Sequence, residues 1–217
     1  MAESVGWVSG WADRIGRVSV PDPVPPAETR PEIFQRLDTT AHFPYPLREY
    51  VRKALWEVVQ AVLIRTSFRR AEGWRRFWLG AFGAKVSPTS KIKPSTRIKH
   101  PWLLEMGAYS VLAEDVDVYN LGRVVIGDHT VVSHRAVLCA GSHDYTKANL
   151  PLLRPEIRIG SGVWVCTQAF VGPGVTIGDN TVVGACAVVM KDLPGGVLAA
   201  GNPARVVKAR RMGEARG

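Results

Sequence analysis

From Val86 onward the chain keeps a beat of six. Val86, Ile92 and Ile98 are aliphatic at that interval, as are Met106, Leu112 and Val118, then Ile126, Val132 and Leu138. After a long interruption the series resumes at Ile159, Val165, Val171, Ile177, Val183 and Val189. Two residues before each stands another small or aliphatic residue, among them Ala84, Ser90, Thr96, Val116, Thr130, Ala136, Val163, Ala169 and Ala187. A helix repeats at 3.6 residues and an ordinary strand at 2. A period of six belongs to a parallel β-helix of hexapeptides. Each hexad is a short strand plus a turn, and three hexads close a triangular coil. The paired positions point inward because side chains alternate along a strand. The count gives about five coils, where such an array needs about three repeats to be stable. Glycine often follows the inward aliphatic residue, at Gly107, Gly127, Gly160, Gly172, Gly178 and Gly184, and is expected to let the chain turn its corners. Two-residue skips at Pro101-Trp102 and near Leu121-Gly122 fall between coils and read as corner bulges.

The fold class is therefore mainly β, with flanking pieces. Residues 1–46 read as an irregular N-terminal tail, since PDPVPPAETRP holds too many prolines for a helix or a central strand. His42 in that tail has no second candidate ligand near it and reads as a surface or packing residue. Residues 47–82 read as a helical cap, with helices over Leu47 to Phe68 and Gly73 to Phe82. The first carries an apolar stripe of Leu47, Val51, Ala54, Leu55, Val58, Val62 and Phe68, with Arg48, Arg52, Lys53, Glu57 and Arg65 largely off it. Two readings fit this pattern: a lid over one end of the domain, or a basic amphipathic element lying on a membrane surface. The β-helix spans 83–201 with a protruding loop at 142–156, and 202–217 form a C-terminal segment.

The net charge of +9 calls for a partner. Much of the excess lies between Arg48 and Lys99, and no helix-turn-helix, zinc-finger spacing or RNP-like aromatic motif accompanies it, which argues against nucleic acid. A basic face that meets anionic lipid, or anionic substrates and cofactors, fits better. The N-terminus lacks the basic and apolar regions of a signal peptide. Cys139, Cys166 and Cys186 form no CxxC pattern, so free thiols and a cytoplasmic location are expected.

The beat fails between Leu138 and Ile159, where about fifteen residues are inserted. A segment of that length in a compact domain is usually functional or disordered, and its mixture of polar and packing residues predicts an ordered arm. His143 sits at its root, beside a rigid coil. A hydroxyl that attacks a thioester gains from a base near neutrality, and imidazole is that side chain. Asp144 either orients the ring or caps the turn.

The segment CAGSHDY, followed by PLLRPEIRIGSGVWVCTQAFVGPGVTIGDNTVVGACAVVMKDLPGGVLAAGNPARVVK, resembles the hexapeptide-repeat acetyltransferases. It is similar to the maltose, galactoside and nodulation-factor O-acetyltransferases, and most of all to those of colanic acid and other exopolysaccharide pathways. RRFWLGAFGAKV, HPWLLEMGAYSVL and VYNLGRVVIGDHTVV resemble that last group too, so the likeness runs from about Leu47 to Arg210. It implies a left-handed parallel β-helix and a homotrimer with sites between subunits. It further implies acetyl-CoA as acyl donor, no metal, and a sugar or glycan acceptor from polysaccharide biosynthesis. His143 becomes the general base in a direct transfer, so Cys139 is left as a turn residue. Asp144 and Asn120 complete the candidate catalytic set: the resemblance matches Asn120 to an acceptor-site asparagine, with a corner-turn residue as the alternative, and it places Tyr145 at the acceptor and Trp164 at the acceptor or pantetheine arm, with a trimer contact as the alternative. Thr167, Gly184, Ala185, Lys191, Asn202, Pro203 and Arg205 fall at the cofactor. There the coil backbone would pair with the pantetheine arm, and the two cations would meet phosphates. Cys186 and Met190 depart from the residues usual in the family.

Two other classes compete. One is a non-catalytic scaffold subunit of a membrane-surface polysaccharide assembly. The other is a zinc carbonic anhydrase-like β-helix, for which His129, His134 and His143 supply candidate ligands. Against the latter, no histidine follows Ile159, and GNPARV reads as a cofactor site.

Overall fold

The structure, a computed structural model, describes Gln35 and residues 46–211. All of these belong to one compact unit, Gln35–Gly217. The tail expected over 1–46, His42 included, lies outside the described residues apart from Gln35 and Pro46, as do residues 212–217.

Short parallel strands stack into three faces. The first face is built from Lys85–Val86, Leu104–Met106, Val124–Ile126, Ile157–Ile159 and Thr176–Ile177. The second runs through Lys91–Ile92, Val111–Leu112, Val131–Val132, Trp164–Val165, Val182–Val183 and Val197–Ala200, and ends on an antiparallel strand, Arg205–Ala209. The third contains Arg97–Ile98, Asp117–Tyr119, Val137–Cys139, Phe170–Val171 and Val188–Val189. The core is the axis of this prism. Every beat position from Ile92 to Val189 is at most 4% exposed, and the residues two before them are buried as well. Where those residues are polar, each hydroxyl reaches the next coil. Ser90 Oγ donates to the Gly107 carbonyl at 2.5 Å, Ser110 Oγ to Gly127 at 2.6 Å, Thr130 Oγ1 to Gly160 at 2.7 Å and Thr181 Oγ1 to Pro194 at 2.7 Å. Buried hydroxyls are thereby satisfied along one column.

The register explains the irregular beat. Met106 pairs with Ile126 twenty positions on, Ile126 with Ile159 thirty-three on, and Ile159 with Ile177 eighteen on. The extra residues of the early coils and the whole arm leave at one edge, between the third and first faces. A partial sixth coil follows that the beat did not reveal. Leu193 bridges to Ile177, and Ala199 pairs with Val183 only sixteen positions on, so the turn at Lys191-Asp192 is two residues short.

The glycines after the inward positions do not supply the unusual backbone. The left-handed corner residues are instead Tyr109, Asp115, His129, Arg135, Gln168, Asn180 and Cys186, with Gly162 and Gly174. The glycines serve close approach between coils. A Cβ on Gly127 would lie 2.6 Å from Ser161 Oγ and 2.7 Å from the Gly160 carbonyl carbon, and Gly107, Gly160 and Gly178 are crowded alike.

Helix α1, Leu47–Val59, runs into a π-helical turn at Gln60–Ile64, and helix α2 spans Glu72–Ala81. They cover the start of the prism, but not with the stripe that the periodicity singles out. Leu47, Val51, Leu55, Val58, Val62 and Phe68 are each more than half exposed. The inward face consists of Trp56, Ile64, Leu79 and Arg75, all buried. The reason is the open edge of the first coil, whose backbone groups need partners. Trp56 Nε1 donates to the Ile98 carbonyl at 2.7 Å, and Gln60 Oε1 accepts the Ile98 N–H at 2.8 Å. Arg75 Nε donates to the Ile92 carbonyl at 2.5 Å and Arg76 Nη1 to Ser90 at 2.8 Å. An apolar stripe could make none of these bonds.

Candidate active site

The arm leaves the third face after Cys139, whose thiol donates to the Gly141 carbonyl at 3.4 Å and so belongs to the turn. It is an ordered hairpin. Ser142 pairs with Leu153 and His143 with Leu152, antiparallel, and the Asp144 N–H meets the Pro151 carbonyl at 3.0 Å. Its return segment lies against Gly122, where a Cβ would stand 2.5 Å from the Pro155 oxygen and 2.6 Å from that of Arg154. His143 is exposed, with Nδ1 2.6 Å from the Leu150 carbonyl oxygen. A carbonyl only accepts, so this bond needs the proton on Nδ1 and leaves the Nε2 lone pair free for a substrate. Leu150 adopts a left-handed conformation, φ 43°, as it turns its carbonyl to the ring.

Leu150 therefore orients the imidazole, and Asp144 does not. The Asp144 carboxylate accepts the Thr146 hydroxyl at 2.5 Å and the Thr146 N–H at 3.1 Å, and pairs with Lys147 at 3.3 Å. The Thr146 hydroxyl above all, then its N–H and Lys147, hold this carboxyl below its ordinary range. Asp144 is a turn cap. Tyr145 stands at the tip, 85% exposed. Asn120 is fully buried and takes the corner-turn reading rather than the acceptor-site one. Its Oδ1 accepts the N–H groups of Lys99 and His100 at 3.1 and 2.8 Å, and its Nδ2 donates to the His100 carbonyl at 2.6 Å. It ties one corner bulge to the next and presents nothing to an acceptor.

A second constellation occupies the edge between the second and third faces. Trp164 faces outward, half exposed, with Nε1 2.9 Å from Ser133 Oγ. Thr167 Oγ1 bonds to the His134 ring, and the Gln168 and Cys186 N–H groups donate to the His134 and Thr167 carbonyls, stacking three coils. Gly184 and Ala185 continue that column. The Gly184 and Cys186 amides are already paired with Ala199 and Thr167, which leaves only the intervening Ala185 amide for added-strand pairing. The turn holding Asn202 and Pro203 rests on Val188, which accepts the Ala204 N–H at 2.8 Å and donates to the Gly201 carbonyl at 2.9 Å. Arg205 begins the final strand, and Lys191 follows the third face by two residues; both are exposed.

Within one chain, then, Thr167, Gly184, Ala185 and Trp164 gather at one edge, while His143 and Tyr145 stand at the next. A face of six residues at about 3.3 Å each separates these edges by roughly 15–20 Å. The proposed zinc ligands are scattered too. His129 is a left-handed corner residue stacked on Tyr109, ring centroids 4.9 Å apart, and His134 engages Thr167. Among the described residues no three metal-ligating side chains converge. Sequence reasoning missed two participants: the Leu150 carbonyl, which has no side-chain signal, and the His134–Thr167 pair, hidden because the arm separates one coil from the next.

Comparison with known proteins agrees with this architecture. The family described as "Bacterial transferase hexapeptide (six repeats)" matches residues 156–191. The Escherichia coli (strain K12) protein named "Putative colanic acid biosynthesis acetyltransferase WcaF" is 43% identical over 160 residues, 74% of this chain and 88% of that protein. Nodulation protein L of Rhizobium meliloti (strain 1021) is 35% identical over 140 residues, 63% of this chain and 75% of that one. A solved galactoside acetyltransferase in complex with coenzyme A superposes with a TM-score of 0.71 at 23% identity, covering 78% of this chain and 86% of its own. A hexapeptide prism with a histidine-bearing arm, 43% identical along 88% of the protein named "Putative colanic acid biosynthesis acetyltransferase WcaF", identifies this chain as a member of the hexapeptide-repeat acetyltransferase family.

Proposed function

We propose that the protein transfers an acetyl group from acetyl-CoA to a hydroxyl of a sugar or glycan intermediate in exopolysaccharide assembly, in the cytoplasm, with His143 as general base. The observation that carries this reading is the 2.6 Å bond from Nδ1 to the Leu150 carbonyl. It holds the ring in one tautomer and one orientation, with Nε2 outward, before any substrate arrives. Acetyl-CoA supplies an acyl group already activated as a thioester. Nε2 takes the acceptor hydroxyl proton as the oxygen attacks the carbonyl carbon. The C–O bond forms, the C–S bond breaks, and the imidazolium returns its proton to the departing thiolate. No acyl-enzyme is needed, and the Cys139 thiol is held in its turn.

The separation of the two edges supports a homotrimer. The Trp164–Thr167 edge of one subunit beside the arm of another would bring acceptor platform, donor and base together. Lys191 and Arg205 are exposed cations suited to the cofactor phosphates. The coenzyme A complex of the galactoside acetyltransferase supports the donor, and the colanic acid relative supports the acceptor class. The test is acetyl transfer to a panel of soluble oligosaccharides by wild type and His143→Gln. The variant should lose about 10²–10⁴ in kcat while binding acetyl-CoA as before. Undiminished turnover would remove His143 from the mechanism.

A further inference from the structure

We propose that the outer face of the helical cap docks on an anionic lipid surface. Leu47, Val51, Leu55, Val58 and Val62 recur at helical spacing along α1 and its π-helical continuation, and all are exposed. Such a stripe is ordinarily the buried side of a surface helix, yet here the opposite side is the one that closes the prism. Aromatic residues extend the exposed surface. Phe68 and Phe77 are largely exposed, and the partly exposed Trp74 is tied to the π-helical turn by a 2.8 Å bond from Nε1 to the Leu63 carbonyl. An apolar surface of this extent on a single chain marks an interaction site.

The charge pattern selects the occupant. Residues 46–82 contain eight basic side chains and three acidic ones; Arg75 and Arg76 turn to the prism and Arg69 pairs with Glu114, which leaves five basic side chains. Two of the acids turn toward the prism, Glu57 pairing with Lys99 at 3.4 Å and Glu72 with Lys93 at 3.9 Å. Arg48, Arg65 and Arg70 remain exposed beside the stripe. An apolar face flanked by cations is the pattern of a helix that lies in the headgroup region of an anionic bilayer. Among the described residues no helix is long and apolar enough to cross a membrane, so the contact is one of lying on it.

The experiment is co-sedimentation of the full chain with vesicles of phosphatidylglycerol or of phosphatidylcholine, a readout that involves no acetyl transfer and so is independent of the proposed reaction. Binding to phosphatidylglycerol that weakens with salt is the expected result. Leu55→Gln/Val58→Gln should cut the bound fraction about tenfold and leave transfer to a soluble acceptor intact. Arg48→Gln/Arg65→Gln should remove the preference for the anionic lipid. Failure of the wild type to bind, or equal binding by both variants, overturns the proposal. So does a fall in oligomer size for the Leu55/Val58 variant without lipid, which would mean that a second copy covers this face.

Discussion

Arg75→Leu tests how the cap is held. Arg75 is fully buried in α2 and makes four hydrogen bonds: Nε to the Ile92 carbonyl at 2.5 Å, Nη1 to Ser67 Oγ at 2.9 Å and the Phe68 carbonyl at 2.8 Å, and Nη2 to the Arg69 carbonyl at 2.8 Å. Burial pushes the guanidinium pKa down, opposed by nearby Glu72, so the native state bears a desolvation cost. In the leucine variant water can reach the exposed Phe68 and Arg69, and the half-buried Ser67 hydroxyl keeps its bond to the Ile64 carbonyl, while the Ile92 carbonyl stays covered. One covered carbonyl left without a partner, at about 1–3 kcal/mol, together with the lost bonds to Ser67, Phe68 and Arg69 and less the relieved desolvation, gives a net loss of about 2 kcal/mol. Arg75→Lys keeps the charge but not the planar fork and should fall between. Urea unfolding measures the total, and hydrogen exchange locates it. Because a coil contacts only its neighbours, protection should drop over residues 90–98 and persist over 159–189. A loss below about 1 kcal/mol, or one spread evenly over all coils, would refute the argument.

Two further outcomes follow from the same geometry. His100 is fully buried, and desolvation lowers its pKa from 6.5 to about 4, against the pull of its bond to Asn120. Below about pH 6.5 the unfolded chain binds a proton here that the folded chain refuses until about pH 4. Stability therefore rises with pH across that window; the contribution is complete above it and is lost on acidification, by up to about 3 kcal/mol. Denaturant titrations from pH 7 to 4 should show this slope in the wild type and a shallower one in His100→Gln. Gly122→Ala would drive a Cβ into the Arg154 and Pro155 carbonyls, displacing the arm at its root. Its kcat should fall well beyond any change in acetyl-CoA binding, as steady-state kinetics can show, because the arm carries the proposed base and not the proposed cofactor contacts.

Much of the prism was legible because each inward position obeys one local rule. Ile92, Val132 and Val183 are aliphatic for the same reason, and a period read along the chain becomes a column in space. The failures share a cause as well: they depend on partners far away in sequence. The stripe of Leu47 to Val62 fitted a lid's packing face as well as a membrane-facing one, since nothing local shows that the first coil demands the indole of Trp56 and the guanidinium of Arg75. Gly127 looked like a flexible corner, but Ser161, thirty-four positions on, is what leaves no room there for a Cβ. Asn120 carried a plausible side chain to a catalytic position in one dimension and sits between two bulges in three. His143 was visible as the histidine at the break; the carbonyl that aims it was not.

The two ends of the prism bear on a hazard that every stacked parallel sheet carries. Such a stack has no intrinsic last layer. Any bare coil is a template for another, and identical chains added head to tail would run on as a fibre. Here the lower rim is plugged by side chains from the helices, at Ile92, Ile98 and Ser90. At the upper rim of the second face the strand Arg205–Ala209 runs antiparallel to Val197–Ala200. A reversed strand is out of phase with any parallel layer that might follow it. The same few residues that finish the fold thus set the length of the particle, and keep a scaffold with the geometry of a filament in the form of a discrete enzyme.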